Sequence, residues 1–270
     1  MKITKITVQK KNKSRYNVFV DRGNGEEFGF AIDEDVYIKS GIQKGMELTA
    51  KDVSELEAED EVRKGFNLAV NYLSYRMRSY KEIVDYLKKK EVPAVAIEAI
   101  MERLQGFNYI DDLEFAKMFI RSKVATSQKG PKALVQELKL KGVPQTIIEE
   151  AIPVYPQEEQ IESATKLAIK KAKQSQKLSE VAVKQKVGQI LQQKGFAWNI
   201  IEQALEKASL EKNEDEEREA LDIQAQKANR KYSKFSGREY KQKMKQYLYR
   251  KGFPLELIDE WLNNNELNDQ

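Results

Sequence analysis

Two hydrophobic periods divide this chain. Up to about residue 32 the apolar positions fall in the manner of strands: Ile3, Ile6 and Val8, then Tyr16, Val18 and Val20, then Phe28 and Phe30 after a Gly23-Asn-Gly25 turn. Near-alternation of this kind predicts three short, half-buried strands. Asp33 to Ser40 fits a short helix, and Gly41 to Leu48 reads as a loop or short extended piece. From about Asp52 the spacing becomes helical and stays so to the end.

Within this helical region a single pattern returns four times. Leu87, Leu138, Leu191 and Leu248 each stand four places after an apolar residue (Ile83, Leu134, Val187, Met244). Three places on comes a lysine (Lys90, Lys141, Lys194, Lys251), five on a Val or Phe (Val92, Val143, Phe196, Phe253), and ten on an isoleucine (Ile97, Ile148, Ile201, Ile258). An acid follows each isoleucine: Glu98, Glu149, Glu202 and Asp259. The leucines lie 51, 53 and 57 residues apart, which marks a tandem helical repeat. Units of that kind bury their apolar faces mainly against their neighbours, so an extended, curved array is expected.

The repeated segment ends one helix and begins another. A lysine in the last turn complements the negative carbonyl end of the first helix. Glycine at positions 142, 195 and 252 suits the left-handed residue that stops it. Proline at 93, 144 and 254 suits the first position of the next helix, where no amide hydrogen is needed. Copy one has Glu91 where the others have glycine, and copy three has Ala197 in place of proline. Capping and solvation account for the four lysines without any further role.

Each copy is read as three helices. In copy one the first runs near Glu61 to Arg78, Ser79-Tyr-Lys-Glu82 forms a capping box for the second, and Pro93 opens the third. Ser236-Gly-Arg-Glu239 is read as the same cap in copy four, and the charged run around Lys207 to Glu219 as a flexible join. The expected architecture is mainly α, with tandem three-helix repeats over 59–106, 107–155, 156–212 and 213–270 behind a small β-rich segment, 1–58. That segment is too short to be securely stable alone.

Composition narrows the chemistry. Neither cysteine nor histidine occurs among the 270 residues, which removes zinc sites, thiol nucleophiles and histidine triads. Asp111-Asp112-Leu-Glu114 has the look of a metal-ligand set, but Asp111 three residues before Glu114 is better read as a helix cap. Gly23-Asn-Gly25 lacks the lysine of a phosphate loop. No catalytic residue, metal or cofactor is therefore expected. No apolar run reaches the ~20 residues of a membrane span, the first residues lack a signal-peptide core, and the absence of cysteine fits a reducing compartment, so a cytoplasmic protein is expected.

Charge is unevenly placed. Residues 1–62 hold ten basic and thirteen acidic residues, whereas Lys227 to Lys251 holds ten basic residues and one acid, Glu239. In that cluster Tyr232, Phe235, Tyr240, Tyr247 and Tyr249 interleave with Arg230, Lys231, Lys234, Arg238, Lys241, Lys243 and Lys245. Copy one carries a smaller version in Tyr72, Tyr75, Arg76, Arg78, Tyr80 and Lys81. Basic residues among aromatics suit a phosphate backbone or an acidic protein groove, and the plainer alternative is tyrosines packed between helices with solvated lysines.

Several segments resemble a known family. Asn108-Tyr-Ile-Asp-Asp-Leu-Glu-Phe-Ala116, preceded by Gly106 and followed by Lys129-Gly-Pro131, is similar to the signature of the bacterial RecX regulatory proteins. So is Tyr75-Arg-Met-Arg-Ser-Tyr-Lys-Glu82 with its Leu-Lys-Lys-Lys turn. Ile3-Thr-Lys-Ile-Thr-Val-Gln-Lys-Lys-Asn12 with Arg15-Tyr-Asn-Val-Phe-Val-Asp21 is similar to the opening of the longer members from low-GC Gram-positive bacteria. The resemblance covers nearly the whole chain and is most specific over 72–152, with Glu91 a departure from the usual glycine.

It implies a non-enzymatic modulator of the RecA recombinase, acting in DNA repair, recombination and the SOS response. Such proteins bind RecA–DNA filaments along the helical groove and limit filament extension, strand exchange and ATP hydrolysis. The implied partners are the RecA filament and, more weakly, single- or double-stranded DNA without sequence preference; no membrane is involved and the chain is expected to be a monomer. Charge clustering puts the contact at Arg76, Arg78 and Lys81 in copy one and at Arg238, Lys241 and Lys245 in copy four. The alternative is a plain DNA-binding protein. The third-helix starts Ala94-Val-Ala, Gln145-Thr-Ile and Leu255-Glu-Leu lack the Arg, Asn and Gln set that reads base edges, so any DNA affinity should be backbone-driven.

Overall fold

The computed structural model describes residues 1–266. Strands β1 (Lys2–Val8), β2 (Arg15–Asp21) and β3 (Glu26–Asp33) form an antiparallel sheet in sequence order. Asp21 accepts the amides of Gly23 and Gly25, both at positive φ, and so closes the turn between β2 and β3. One sheet face buries Ile3, Val18, Val20, Phe30 and Ile32 against Val36 of α1 (Glu34–Ser40) and against Ile42 and Leu48 in the loop that follows.

Helix α2 (Ala50–Leu73) begins and ends earlier than its apolar spacing suggests. Thr49 and Asp52 form a complete capping box at its start, and the helix stops short of the Tyr75–Arg78 segment expected to be helical. The sheet is tied to it by one buried carboxylate. Asp60, 2% exposed, accepts two hydrogen bonds from Arg15 and one from the backbone amide of Asp33. Burial raises the Asp60 carboxyl, but hydrogen bonds from Arg15 and Lys64 outweigh it and hold the group below its ordinary value.

The remaining helices are α3 (Tyr80–Lys89), α4 (Ala94–Gly106), α5 (Asp112–Ser127), α6 (Pro131–Leu140), α7 (Gln145–Ala151), α8 (Gln157–Lys173), α9 (Glu180–Gln193), α10 (Trp198–Lys207), α11 (Glu214–Tyr232), α12 (Gly237–Arg250) and α13 (Leu255–Glu266). They make four three-helix copies, with α2 the first helix of copy one. Two compact units hold them, residues 1–116 with 139–148, and residues 117–138 with 149–270.

The repeated apolar positions are buried in all four copies: the leucine, the residue four before it, the Val or Phe and the isoleucine. At three of the four turns the chain reverses by the same bond. The amides of Val92, Phe196 and Phe253 donate to the carbonyls of Leu87, Leu191 and Leu248, the long hydrogen bond of a Schellman motif. Pro93 and Ala197 sit at the N-cap, one residue before the first helical position expected for proline. Their carbonyls, with those of Pro144 and Pro254, accept from the amides of Ile97, Ile148, Ile201 and Ile258.

These turns are also joints between copies. Ser79, the N-cap of α3, donates its hydroxyl to the carbonyl of Lys141 in the next copy's turn at 2.7 Å. Ser179, the N-cap of α9, does the same to Lys251 at 2.5 Å. Immediately ahead of α6 stands Gly130 and not a serine; its amide donates to the Lys194 carbonyl at 2.8 Å and that of Lys132 to the Gly195 carbonyl. A carboxylate from the next copy's first helix reinforces two joints: Asp112 accepts the amide of Tyr80, and Glu217 that of Glu180. Burial pushes both carboxyls above their ordinary range against the pull of those amides.

Ser236, expected to cap α12 as Ser79 caps α3, makes no side-chain cap hydrogen bond. Among the described residues no carbonyl of a later turn meets Ser236 as Lys141 and Lys251 meet the other two serines, and Gly237 takes a left-handed conformation at the helix start. The stretch expected as a flexible join is instead held in place. The Lys212 ammonium donates to the carbonyls of Gln176 and Leu178 at 2.6 Å each, and Asn213 forms a full capping box with Glu216 at the start of α11.

Candidate functional site

In copy one the cations gather around the turn between α2 and α3. Tyr72 stacks on Tyr86 with ring centroids 4.0 Å apart, and the Arg78 guanidinium lies 4.0 Å above the Tyr72 ring. That contact suits a delocalised cation on an aromatic face. Arg76 donates two 3.0 Å hydrogen bonds to Glu82, which also accepts from Lys141 at 2.8 Å. Burial works to raise the Glu82 carboxyl, but hydrogen bonds from Arg76 and Lys141 and their charges bring it down to about 2. Lys81 pairs with Asp85 at 2.9 Å, while its methylenes lie over Gly142. Tyr75 stands 84% exposed beside these groups.

The three expected contact residues here are therefore unlike. Arg76 is a structural partner of Glu82, Lys81 is ion-paired, and only Arg78 has no carboxylate partner among the described residues.

Copy four presents its cations on the end of α11, the connecting turn and α12. Arg230, Lys231, Lys234 and Arg238 are exposed. Lys231 lies over Tyr232, and Lys234 and Lys243 both lie over Phe235, at 5.3 and 4.4 Å. Lys245, an expected contact, pairs with Asp259 at 2.7 Å. Lys241 is half-buried on α12, and Arg238 is exposed with no ion pair among the described residues. Tyr232, Tyr240 and Tyr247 pack partly against the copy-four core, as the plainer alternative requires, whereas Tyr249 is exposed.

The charge balance follows from these pairings. An ion pair cancels most of the long-range field of its members, so a polyanion is steered chiefly by the unpaired cations. Among the described residues these include Arg78, Lys88 and Lys89 in copy one and Arg230, Lys231, Lys234 and Arg238 in copy four. Lys231 and Lys234 lie over aromatic rings, the combination that binds single strands through phosphate contacts and stacking.

Charge counting overlooked exposed apolar side chains. Val95 and Trp198 stand at the starts of α4 and α10, and Leu140 at the end of α6. The only sequence signal of Val95 and Trp198 is an apolar residue just after the turn motif, and that of Leu140 an apolar residue two places after the motif leucine, all out of register with the buried face. Among the described residues no cluster of three carboxylates suits a metal ion, and Asp111 instead accepts the amides of Leu113 and Glu114.

Family models match five segments of the chain. The model of the regulatory protein RecX N-terminal domain matches residues 1–49. Those of the RecX first and second three-helix domains match 66–104 and 111–152, and that of the third matches twice, at 157–205 and 214–262. The chain belongs to the RecX family. Regulatory protein RecX of Bacillus licheniformis is 44% identical over 97% of this chain and 98% of its own length. Those of Halalkalibacterium halodurans and Bacillus subtilis are 44% and 42% identical, again over nearly the whole of both chains. A crystal structure of regulatory protein RecX matches with a TM-score of 0.66 at 35% identity, over 74% of this chain and 97% of that one. RecX from Lactobacillus salivarius matches with a TM-score of 0.54 at 33% identity, over 57% of this chain and 99% of that one. The double match of the third-domain model means that copies three and four are the same type of RecX repeat. Among the described residues no helix is long and apolar enough to cross a membrane.

Proposed function

We propose that this RecX-family protein regulates the RecA recombinase, binding RecA–DNA filaments in the cytoplasm and limiting their extension and activity. It acts by occupancy and not by chemistry, and works as a monomer. The observation that carries the reading is the copy-four cluster, where the exposed Lys231 and Lys234, with no ion pair among the described residues, lie over aromatic rings. Among the expected contacts, Arg238 and Arg78 meet the phosphate backbone, Lys241 and Lys245 extend the same positive helix, and Arg76 and Lys81 hold the copy-one surface in shape.

A second reading, sequence-nonspecific binding to DNA alone, draws on the same cations. The two separate by salt. Titrating the protein into RecA assembled on single-stranded DNA, with ATP hydrolysis as readout, should show inhibition at concentrations well below that of RecA monomers. Inhibition should persist at salt that strips the protein from naked DNA, because counterion release weakens phosphate contacts steeply. Equal salt sensitivity of the two effects would favour binding to DNA alone.

A further inference from the structure

The N-terminal region has the opposite charge from copy four. Residues 33–62 hold ten acids and three basic residues, an arrangement that repels the phosphate backbone the basic copies attract. Here α1, the loop after it and the first turns of α2 enclose a groove of about 500 Å³. Its floor is apolar, made by Val36, Ile42, Leu48 and Leu56, and Met46 stands exposed at its lip.

The rim is acidic. Asp52 is occupied by the capping box with Thr49, and Glu59 by Arg103 and Lys39. Glu47 and Glu55 are exposed; Glu55 has only a 3.7 Å pair with the equally exposed Lys51, and Glu47 has no ion pair among the described residues. A groove of this volume accepts two or three side chains. An apolar floor with Glu47 and the loosely paired Glu55 on its edge fits an apolar side chain flanked by lysine or arginine.

We propose that this groove docks a basic, apolar-bearing segment of the protein subunit of the filament, giving the chain a protein contact distinct from its nucleic-acid contact. The assignment of the subunit rests on the function proposed above. The two surfaces act with opposite sign: one draws in phosphate and the other draws in basic protein. Binding thereby selects DNA that already carries its protein coat over either component alone.

Two measurements on the full-length protein test this. In the first, Glu47→Lys/Glu55→Lys should weaken binding both to RecA free of DNA and to RecA assembled on DNA, by roughly tenfold. Affinity for naked single-stranded DNA should be equal or higher, with an unchanged thermal transition. In the second, p-benzoylphenylalanine in place of Met46 should crosslink to RecA. Undiminished binding of the double variant to both forms of RecA, or a crosslink to DNA or to a second copy of this chain, overturns the docking site alone. A parent protein that binds RecA in neither form overturns the filament reading and the docking site together.

Discussion

The turn of copy one and the turns of the other three copies have the same backbone but different tolerance. Glu91, Gly142, Gly195 and Gly252 all take a left-handed φ between 62° and 90°. At three of them another copy presses close. A Cβ on Gly142 would run into the Lys81 side chain, one on Gly195 into the backbone nitrogen of Ala133, and one on Gly252 would sit 2.8 Å from the Ser179 hydroxyl. Copy one has no earlier copy to press on its turn, and Glu91 is exposed. The glycines of this repeat are thus required twice, by the left-handed turn and by the joint, and Glu91 has only the first requirement to meet. An odd residue in a repeat motif can mark the end of the array and not a loss of function.

The largest effect that would break this comparison is at Gly195. Gly195→Ala places a methyl against unyielding backbone at φ +90°, and should cost about 3 kcal/mol or more. Urea unfolding followed by the fluorescence of Trp198, which lies just beyond the turn, would report it. A cost below about 1 kcal/mol would mean that the joint yields.

Acid should reach the first joint before the second. Glu82, which holds Lys141 of the Ser79 joint, titrates at about 2 in the folded chain against an ordinary 4.5. A depressed carboxyl contributes stability above its unfolded pKa and loses it as pH falls through the folded value. Amide exchange around Ser79 and Lys141 should therefore accelerate between about pH 4.5 and 2 in the parent, and a Glu82→Gln variant should lack that pH dependence. The Gly130–Lys194 joint, held by backbone hydrogen bonds and by the Lys194 ammonium on the Ser127 carbonyl, should respond less.

Smaller effects sharpen the contrast. Ser179→Ala removes a donor to Lys251 and an acceptor of the Ala182 amide, for about 1–2 kcal/mol. The matching Ser236→Ala should be nearly neutral, since that hydroxyl caps nothing. At the small end, Glu91→Gly relieves left-handed strain but loosens the unfolded chain, and should stabilise by less than about 1 kcal/mol. A destabilised Glu91→Gly protein would show that the Glu91 side chain has a role these contacts do not reveal.

Much of this fold was legible in the sequence because the repeat is written in side chains that meet locally. The leucine, the Val or Phe and the isoleucine lie within ten residues of one another, so helix geometry alone places them on one face. Long-range partners were not legible. Nothing local marks Asp60 as buried: its guanidinium comes from Arg15 and its third donor from the Asp33 amide. The Lys212 anchor looked like solvated charge because the carbonyls it reaches are more than thirty residues away. Charge clustering could find the basic surfaces but could not sort their members. Arg76, Lys81 and Lys245 are neutralised by Glu82, Asp85 and Asp259, whereas Arg78 and Arg238 have no carboxylate partner among the described residues.

That sorting fixes the most direct test of the functional account. Arg230→Glu/Lys234→Glu/Arg238→Glu reverses three exposed cations without breaking an ion pair seen among the described residues. Exposed substitutions of this kind usually shift stability by less than about 0.5 kcal/mol each, so the variant should fold. Its inhibition of ATP hydrolysis by RecA assembled on single-stranded DNA should fall strongly, mostly through slower association. A folded variant that inhibits RecA as well as the parent would contradict the account and place the filament contact elsewhere on the molecule.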